Sequence, residues 1–167
     1  MKKVFEGKLL KVHVMKKRLP NGYTATFEII KHPGAALVVP FVSKDRIIML
    51  RQLRPVIGSY IYELVAGTLG KNEKPLACAR REIVEETAYR AKRFTYLGMI
   101  YPVPGYSTER IYIYKAEGLS PVADHVAEPD EVIRTIVMTR QEIGRLFKAG
   151  KITDAKTIAA LAMCGWL

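Results

Sequence analysis

Residues 67–89 read Gly67-Thr68-Leu69-Gly70-Lys71-Asn72-Glu73-Lys74-Pro75-Leu76-Ala77-Cys78-Ala79-Arg80-Arg81-Glu82-Ile83-Val84-Glu85-Glu86-Thr87-Ala88-Tyr89. Pro75 suits the first position of a helix, where its missing N–H is not needed. In the segment that follows, Glu82, Glu85 and Glu86 recur at spacings of three and four. On a helix of about 3.6 residues per turn, these carboxylates share roughly 100° of arc. Leu76, Ala77, Ile83 and Val84 fall on the far side and form the predicted buried face. Like charges placed so repel by about a few tenths of a kcal/mol per pair. A hard divalent cation reverses that cost, because Mg²⁺ takes a few carboxylate oxygens together with waters and phosphates. Read alone, Arg-Glu-x-x-Glu-Glu is also a solvated helix face stitched by pairs such as Arg81–Glu85.

The spacing upstream favours the chemical reading. Gly67, Glu73, Arg81, Glu82, Glu85 and Glu86 follow the pattern Gly-x5-Glu-x7-Arg-Glu-U-x-Glu-Glu-x-Gly-U, where U is a bulky apolar residue. The chain thereby resembles the Nudix hydrolases, which cleave a nucleoside diphosphate linked to a further group. Ala88 departs from the pattern by standing in place of its last Gly. If that position requires a positive φ, alanine costs about 1 kcal/mol and strains a turn without removing a ligand.

The resemblance implies a set of roles. Glu82, Glu85, Glu86 and the Ala66 carbonyl are the expected holders of Mg²⁺, with Mn²⁺ as a substitute. Gly67 and the Glu73–Arg81 pair are expected to be structural. Beyond the box, Pro104, Gly105, Ser107 and Glu109 follow at the interval found in the ADP-ribose pyrophosphatase type. The segments Leu19-Pro20-Asn21-Gly22, His32-Pro33-Gly34-Ala35, Gln52-Leu53-Arg54 and Glu63-Leu64-Val65-Ala66-Gly67 resemble the same type. Pro104 and Glu109 are therefore expected at the substrate. Arg54 and Arg51 are candidates for gripping its phosphates, a task that suits the planar guanidinium. A water-activating carboxylate is expected after the box, where Glu128 and Glu131 are the candidates and the choice between them stays open.

The implied activity is Mg²⁺-dependent cleavage of ADP-ribose to AMP and ribose 5-phosphate. Other nucleoside diphosphate sugars, NADH and dinucleoside polyphosphates are alternative substrates, an RNA-end hydrolase is a further one, and a non-catalytic nucleotide-binding module is the rival from another class. The type also implies a homodimer in which the N-terminal strands reach the partner copy.

The rest of the chain bounds these readings. Its 167 residues suit one hydrolase domain with a substantial core, and 49% apolar with 26% charged residues is ordinary for a globular protein. No apolar run approaches the roughly 20 residues of a membrane span, and a cytoplasmic protein without a membrane partner is expected. Cys78 and Cys164 are too few for a disulfide framework and are read as small core residues. The net charge of +11 suits a polyanionic ligand. Its Lys and Arg are dispersed, however, so nucleic acid is not expected as the main partner.

Apolar alternation across residues 4–30, broken by Leu19-Pro20-Asn21-Gly22, predicts an antiparallel hairpin. The continuous apolar run Ala35–Val42 predicts a strand buried on both faces. Further strands are expected at Ile47–Leu50, Tyr60–Leu64, Phe94–Tyr101, Glu109–Ala116 and Val132–Met138, with polar residues from Glu117 to Asp130 linking the last two. Thr139 and Asp154 are predicted to cap two closing helices. The expected architecture is a mixed α/β (α+β) fold of the Nudix type, an α/β/α sandwich around a mixed sheet. An N-terminal β unit (residues 1–32) precedes the hydrolase domain (residues 33–167).

Overall fold

The computed structural model describes residues 1–7, 10–123 and 132–167. Strands β1 (Lys2–Glu6), β2 (Lys11–Arg18) and β3 (Thr24–Lys31) form an antiparallel sheet. The hairpin signal between residues 19 and 22 produces the β2–β3 turn, closed by the Leu19 N–H donating to the Tyr23 carbonyl at 2.8 Å. β1 adds a strand beyond the predicted pair.

The second sheet contains β4 (Ala35–Ser43), β5 (Arg46–Arg54), β6 (Ser59–Glu63), β7 (Val65–Thr68), β8 (Tyr89–Ile100), β9 (Ile111–Pro121) and β10 (Ile133–Thr139). Its main order is β10-β5-β4-β9-β8, with β6 paired to β5 and β7 paired to β4. β4 and β9 run parallel, and the other pairings are antiparallel. Helix α1 spans Pro75–Thr87, α2 spans Arg140–Lys148 and α3 spans Ala155–Met163.

The period-two geometry of a strand explains why the apolar run in β4 is continuous. Leu37, Val39 and Phe41 point to one core, shared with Ile143, Leu161 and Trp166 from the α2/α3 side. Ala36 and Val38 point to the other, shared with Cys78, Ala79 and Ile83 of α1. Ile47 and Met49 of β5 likewise oppose Ile48 and Leu50. Helices therefore cover both faces of a mixed sheet, as the sequence implied.

The structure differs from the sequence expectations in three places. Leu76 and Ala77 do not lie on the buried face of α1: Leu76 is 38% exposed, while Cys78, Ala79, Glu82, Ile83, Glu86 and Thr87 are buried. The helix is rotated so that two of its carboxylates turn inward over β7. β8 begins immediately after α1, with no connecting loop, because Ala88 sits at φ 60° and ψ 25° and reverses the chain within one residue. β9 continues through the polar residues to Pro121, since pairing with β8 satisfies its backbone and Arg93 holds Glu117 across the strands.

The predicted caps are present. Thr139 and Glu142 form a reciprocal capping box at α2, and the Asp154 side chain accepts from the Thr157 N–H at 3.0 Å at the start of α3. Among the described residues, no helix is long and apolar enough to cross a membrane.

Candidate active site

β5 and β7 both lie along the same side of β4, and β5 leaves it to pair with β6. The chain crosses this split at Glu63-Leu64-Val65. A cleft of about 370 Å³ opens beside it, at the starts of β4 and β9. Its lining includes Arg54, Ala66, Gly67, Arg81, Glu82, Glu85, Glu109 and Lys156. A larger groove of about 900 Å³ runs beside α2 and Trp166, but it contains no residue of the 67–89 segment. The smaller cleft is therefore the one that carries the predicted chemistry.

One wall belongs to α1 and β7. Glu82 folds its carboxylate over Gly67 so closely that a Cβ built on Gly67 would lie 1.7 Å from Glu82 Oε1. A side chain at this position would displace the Glu82 carboxylate, and no unusual φ is involved. Glu86, also buried, accepts the Ala66 N–H through Oε2 at 3.0 Å and so ties the helix to the strand. Arg81 Nη1 lies 2.6 Å from both Glu82 Oε1 and Glu85 Oε2. On its other edge Arg81 donates from Nε to Glu73 Oε1 at 3.0 Å and from Nη2 to Oε2 at 3.1 Å. The Arg81 hydrogen bonds, followed by the Gly70 N–H, push the Glu73 carboxyl down to about 2. The hydrogen bonds that Arg81 donates to Glu73 lead the causes that raise it above its ordinary value. Cys78 lies beneath this wall, and burial pushes its thiol up to about 12, which leaves it an inert core residue. The sulfur of Cys164 is also pushed up, to about 11, by burial beside the opposite core.

The donor set fits a hard cation. Glu82 and Glu85 bring carboxylates to one cleft that Ala66 also lines, and Gly67 leaves room for the carboxylate that overhangs it. Among the described residues, no three His, Cys, Asp or Glu side chains already converge into a cation cage. Mg²⁺ does not require one, because waters and substrate phosphates complete its shell.

The opposite wall comes from β5, β6 and α3. The Glu63 carboxylate is 1% exposed, yet it is ionically satisfied. Arg54 donates to it from Nε at 2.7 Å and from Nη2 at 3.0 Å, and Lys156 donates from Nζ. Burial alone would lower the Arg54 guanidinium, but the Glu63 hydrogen bonds and charge, with smaller contributions from Glu86 and Asp154, hold it above its ordinary value. The Leu64 N–H donates to the Thr157 hydroxyl at 2.9 Å, which docks the start of α3 against the split in the sheet.

Other predicted residues are placed less centrally. Glu109 lines the cleft, and its N–H donates to the Ser107 hydroxyl at 3.1 Å. Glu109 Oε1 lies 3.7 Å from His32 Nδ1, the nitrogen that accepts the Gly34 N–H at 3.1 Å. Arg51 is exposed and stacks over the Tyr60 ring, 5.2 Å from its centroid, outside the cleft lining. Pro104 is exposed in the turn before Tyr106 and is likewise not part of that lining. Glu128 and Glu131 lie outside the described residues.

Sequence reasoning overlooked Glu63 and Lys156. Glu63 stood in a segment that resembles the family without a role of its own, and its place at the end of a largely apolar strand was the signal that it needed a buried partner.

Comparison with known proteins agrees with this geometry. A NUDIX domain model matches residues 31–161. The chain is 35% identical over 159 residues to an ADP-ribose pyrophosphatase of Bacillus subtilis (strain 168), covering 95% of this chain and 86% of the relative. It has the same identity, over the same shares of both chains, to a methanol dehydrogenase activator of Bacillus methanolicus. The fold superposes on the crystal structure of an ADP compounds hydrolase with a TM-score of 0.83 at 22% identity, covering 98% of this chain and 88% of that one. With the NUDIX domain model matching residues 31–161 and the box carboxylates in place, this chain belongs to the Nudix family.

Proposed function

We propose that the protein is a cytoplasmic Mg²⁺-dependent hydrolase that cleaves the diphosphate of ADP-ribose into AMP and ribose 5-phosphate. One observation carries the reading: Glu82 and Glu85 of the box and Arg54 line the same cleft. A diphosphate bridging a metal and a guanidinium needs that opposition of charge. The relative named as an ADP-ribose pyrophosphatase supports the choice of substrate.

In this reading Glu82, Glu85, Glu86 and the Ala66 carbonyl hold the metal. Bound there, Mg²⁺ neutralises phosphate oxygens and makes a water more acidic. The chain's own residues do the rest. Arg54 orients the diphosphate, Glu109 contacts the substrate, and Glu73 with Arg81 fixes the loop to the helix. Water oxygen adds to one phosphorus, the bridging P–O bond breaks, and the departing phosphate keeps the electron pair. The proton lost by the water goes to a carboxylate, for which Glu128 and Glu131 are the proposed candidates.

We further propose that residues 1–32 form a β unit that packs on a second copy, with residues 33–167 as the hydrolase domain. Val4, Phe5 and Tyr23 are each more than half exposed on that unit. Sedimentation equilibrium reads this directly, and a monomer at micromolar concentration would overturn it.

The activity is tested by incubating the protein and Mg²⁺ with ADP-ribose, ADP-glucose, GDP-mannose, NADH, diadenosine polyphosphates and capped RNA. Preferential release of AMP from ADP-ribose is expected. Preference for another member of the panel retains the hydrolase and overturns the substrate, while no turnover with any of them overturns the enzymatic reading.

A further inference from the structure

The cationic wall contains one positive charge more than burial of Glu63 requires. A buried carboxylate needs a partner, and the two hydrogen bonds from Arg54 already supply one. Lys156 nevertheless reaches the same Glu63 Oε1 from another element, and both cations line the cleft. We propose that Lys156 joins Arg54 in binding the substrate diphosphate, and that Glu63 is the positioning residue that aims both cations into the cleft. This rests on the diphosphate-hydrolase reading above.

The hydrogen-bond inventory leaves the necessary donors. Arg54 commits Nε and one N–H of Nη2 to Glu63, so Nη1 is uncommitted to it. Lys156 gives one N–H to Glu63 and one to Asp154 Oδ1 at 2.8 Å, which leaves a third. Asp154 does not simply cancel the lysine, since its other oxygen caps α3 and shares its charge with the helix N-terminus. The Arg54 and Lys156 side chains keep 40% and 19% of their surface, whereas Glu63 keeps 2%. The anion is enclosed and the cations are presented, the arrangement expected if the carboxylate orients them for another anion.

Position along the chain adds to this. Lys156 stands two residues into α3, and the Leu64–Thr157 hydrogen bond fixes that end of the helix beside Glu63. The stem of Lys156 is thus anchored at its base and its ammonium at its tip. Preorganisation of this kind lowers the entropy lost when an anion is bound.

The test uses inorganic diphosphate with Mg²⁺, titrated calorimetrically into the wild type, Lys156→Met and Lys156→Arg. Methionine keeps an unbranched stem and removes the charge. Loss of one charge-assisted hydrogen bond should weaken diphosphate binding about tenfold or more, and arginine should recover most of it. With ADP-ribose, KM should rise by a larger factor than kcat falls. In Glu63→Gln, which frees Arg54 to swing and leaves Lys156 held by Asp154, diphosphate binding should also weaken. Unchanged affinity and KM in Lys156→Met would overturn the proposal, whatever happens to Tm, and so would a wild type that does not bind diphosphate.

If Lys156→Met does not fold, the wild type decides by mass-spectrometric acylation of Lys156. Protection by Mg²⁺-diphosphate is expected, and equal labelling with and without it would overturn the idea. Binding of diphosphate separates this proposal from the one on which it rests. A protein inactive on every nucleotide substrate but dependent on Lys156 for diphosphate would sink only the substrate reading. One that cleaves ADP-ribose with KM indifferent to Lys156 would sink only this inference.

Discussion

The two walls of the cleft use one device with the signs exchanged. On the α1 wall a single cation, Arg81, is surrounded by Glu73, Glu82 and Glu85. On the α3 wall one buried anion, Glu63, is gripped by both Arg54 and Lys156, with Asp154 bonded to Lys156 at the helix start. Each wall gathers several charges of one sign around a shared partner of the other, and Glu82 and Glu85 on one side and Arg54 and Lys156 on the other line the cleft. The first wall thereby favours a cation and the second an anion. A metal-bound diphosphate satisfies both, and neither wall alone identifies it.

The largest effect expected from breaking this opposition is on the acidic wall, and it should be catalytic. Glu82→Gln should lower kcat/KM about a thousandfold, the scale of several kcal/mol of charge stabilisation lost. Gly67→Ala should do the same without touching a titratable group, because the added Cβ occupies the space of the Glu82 carboxylate. Steady-state kinetics with ADP-ribose, alongside circular dichroism to verify folding, makes the comparison. Full activity in Gly67→Ala would mean that Glu82 works from somewhere other than its place over β7.

The next effect, on the cationic wall, should be on stability. Glu63→Gln leaves Arg54 and Lys156 without their shared anion in a site that water reaches only in part. A loss of about 2 kcal/mol is expected, below the penalty for a fully enclosed pair because Arg54 is 40% exposed. Urea denaturation measures it. Glu82→Gln should change stability far less, since Arg81 keeps Glu73 and Glu85. Equal losses in the two variants would erase the distinction between the walls.

The walls were also unequally legible in the sequence. The acidic one is written in a single helix, where spacings of three and four place side chains on one edge and Gly67 and Glu73 stand at fixed intervals before it. The cationic one joins residues 54, 63 and 156, and the Lys156–Glu63 contact spans 93 positions of the chain. No local periodicity encodes such a contact. It depends on β5 leaving β4 for β6 and on α3 docking beside Leu64, both of which are tertiary outcomes. The same limit explains α1. Its amphipathic pattern was visible, but its rotation was set by the Glu82–Gly67 approach and the Glu86–Ala66 bond, which place carboxylates where Leu76 was expected. The sandwich itself was legible because runs such as Ala35–Val42 have apolar residues at both parities, and only a sheet covered on two faces buries both.

A third change should strengthen the acidic wall instead of breaking it. Ala88 ends α1 at φ 60°, in the left-handed region that disfavours a Cβ. Ala88→Gly should stabilise the fold by about 1 kcal/mol, minus the small entropy cost of glycine in the unfolded chain. Tm should rise by about 2–4 °C with kcat/KM unchanged. A fall in Tm would show that the surrounding contacts, including the Val122 N–H donated to the Ala88 carbonyl at 2.8 Å, fully relieve the strain.

The smallest effect concerns Glu73, which holds the Nε and Nη2 edge of Arg81. Its folded-state pKa, about 2, lies below the ordinary 4.5. A depressed carboxyl contributes stability that is present above 4.5 and is lost as pH falls from there towards 2. Glu73→Gln should remove that contribution, costing about 1 kcal/mol or less at neutral pH because the pair is partly exposed. Its denaturation midpoint should then fall less steeply than the wild type's across that acid window. The substitution should also affect the metal. Without Glu73, Arg81 retains Glu82 and Glu85 as its anionic partners among the described residues and competes more strongly for their oxygens. The Mg²⁺ concentration giving half-maximal activity should therefore rise a few-fold, about what a fraction of a kcal/mol produces. An unchanged Mg²⁺ requirement with the expected acid behaviour would make Glu73 a loop anchor only, and would show that the acidic wall holds its charge towards the cleft without help from outside it.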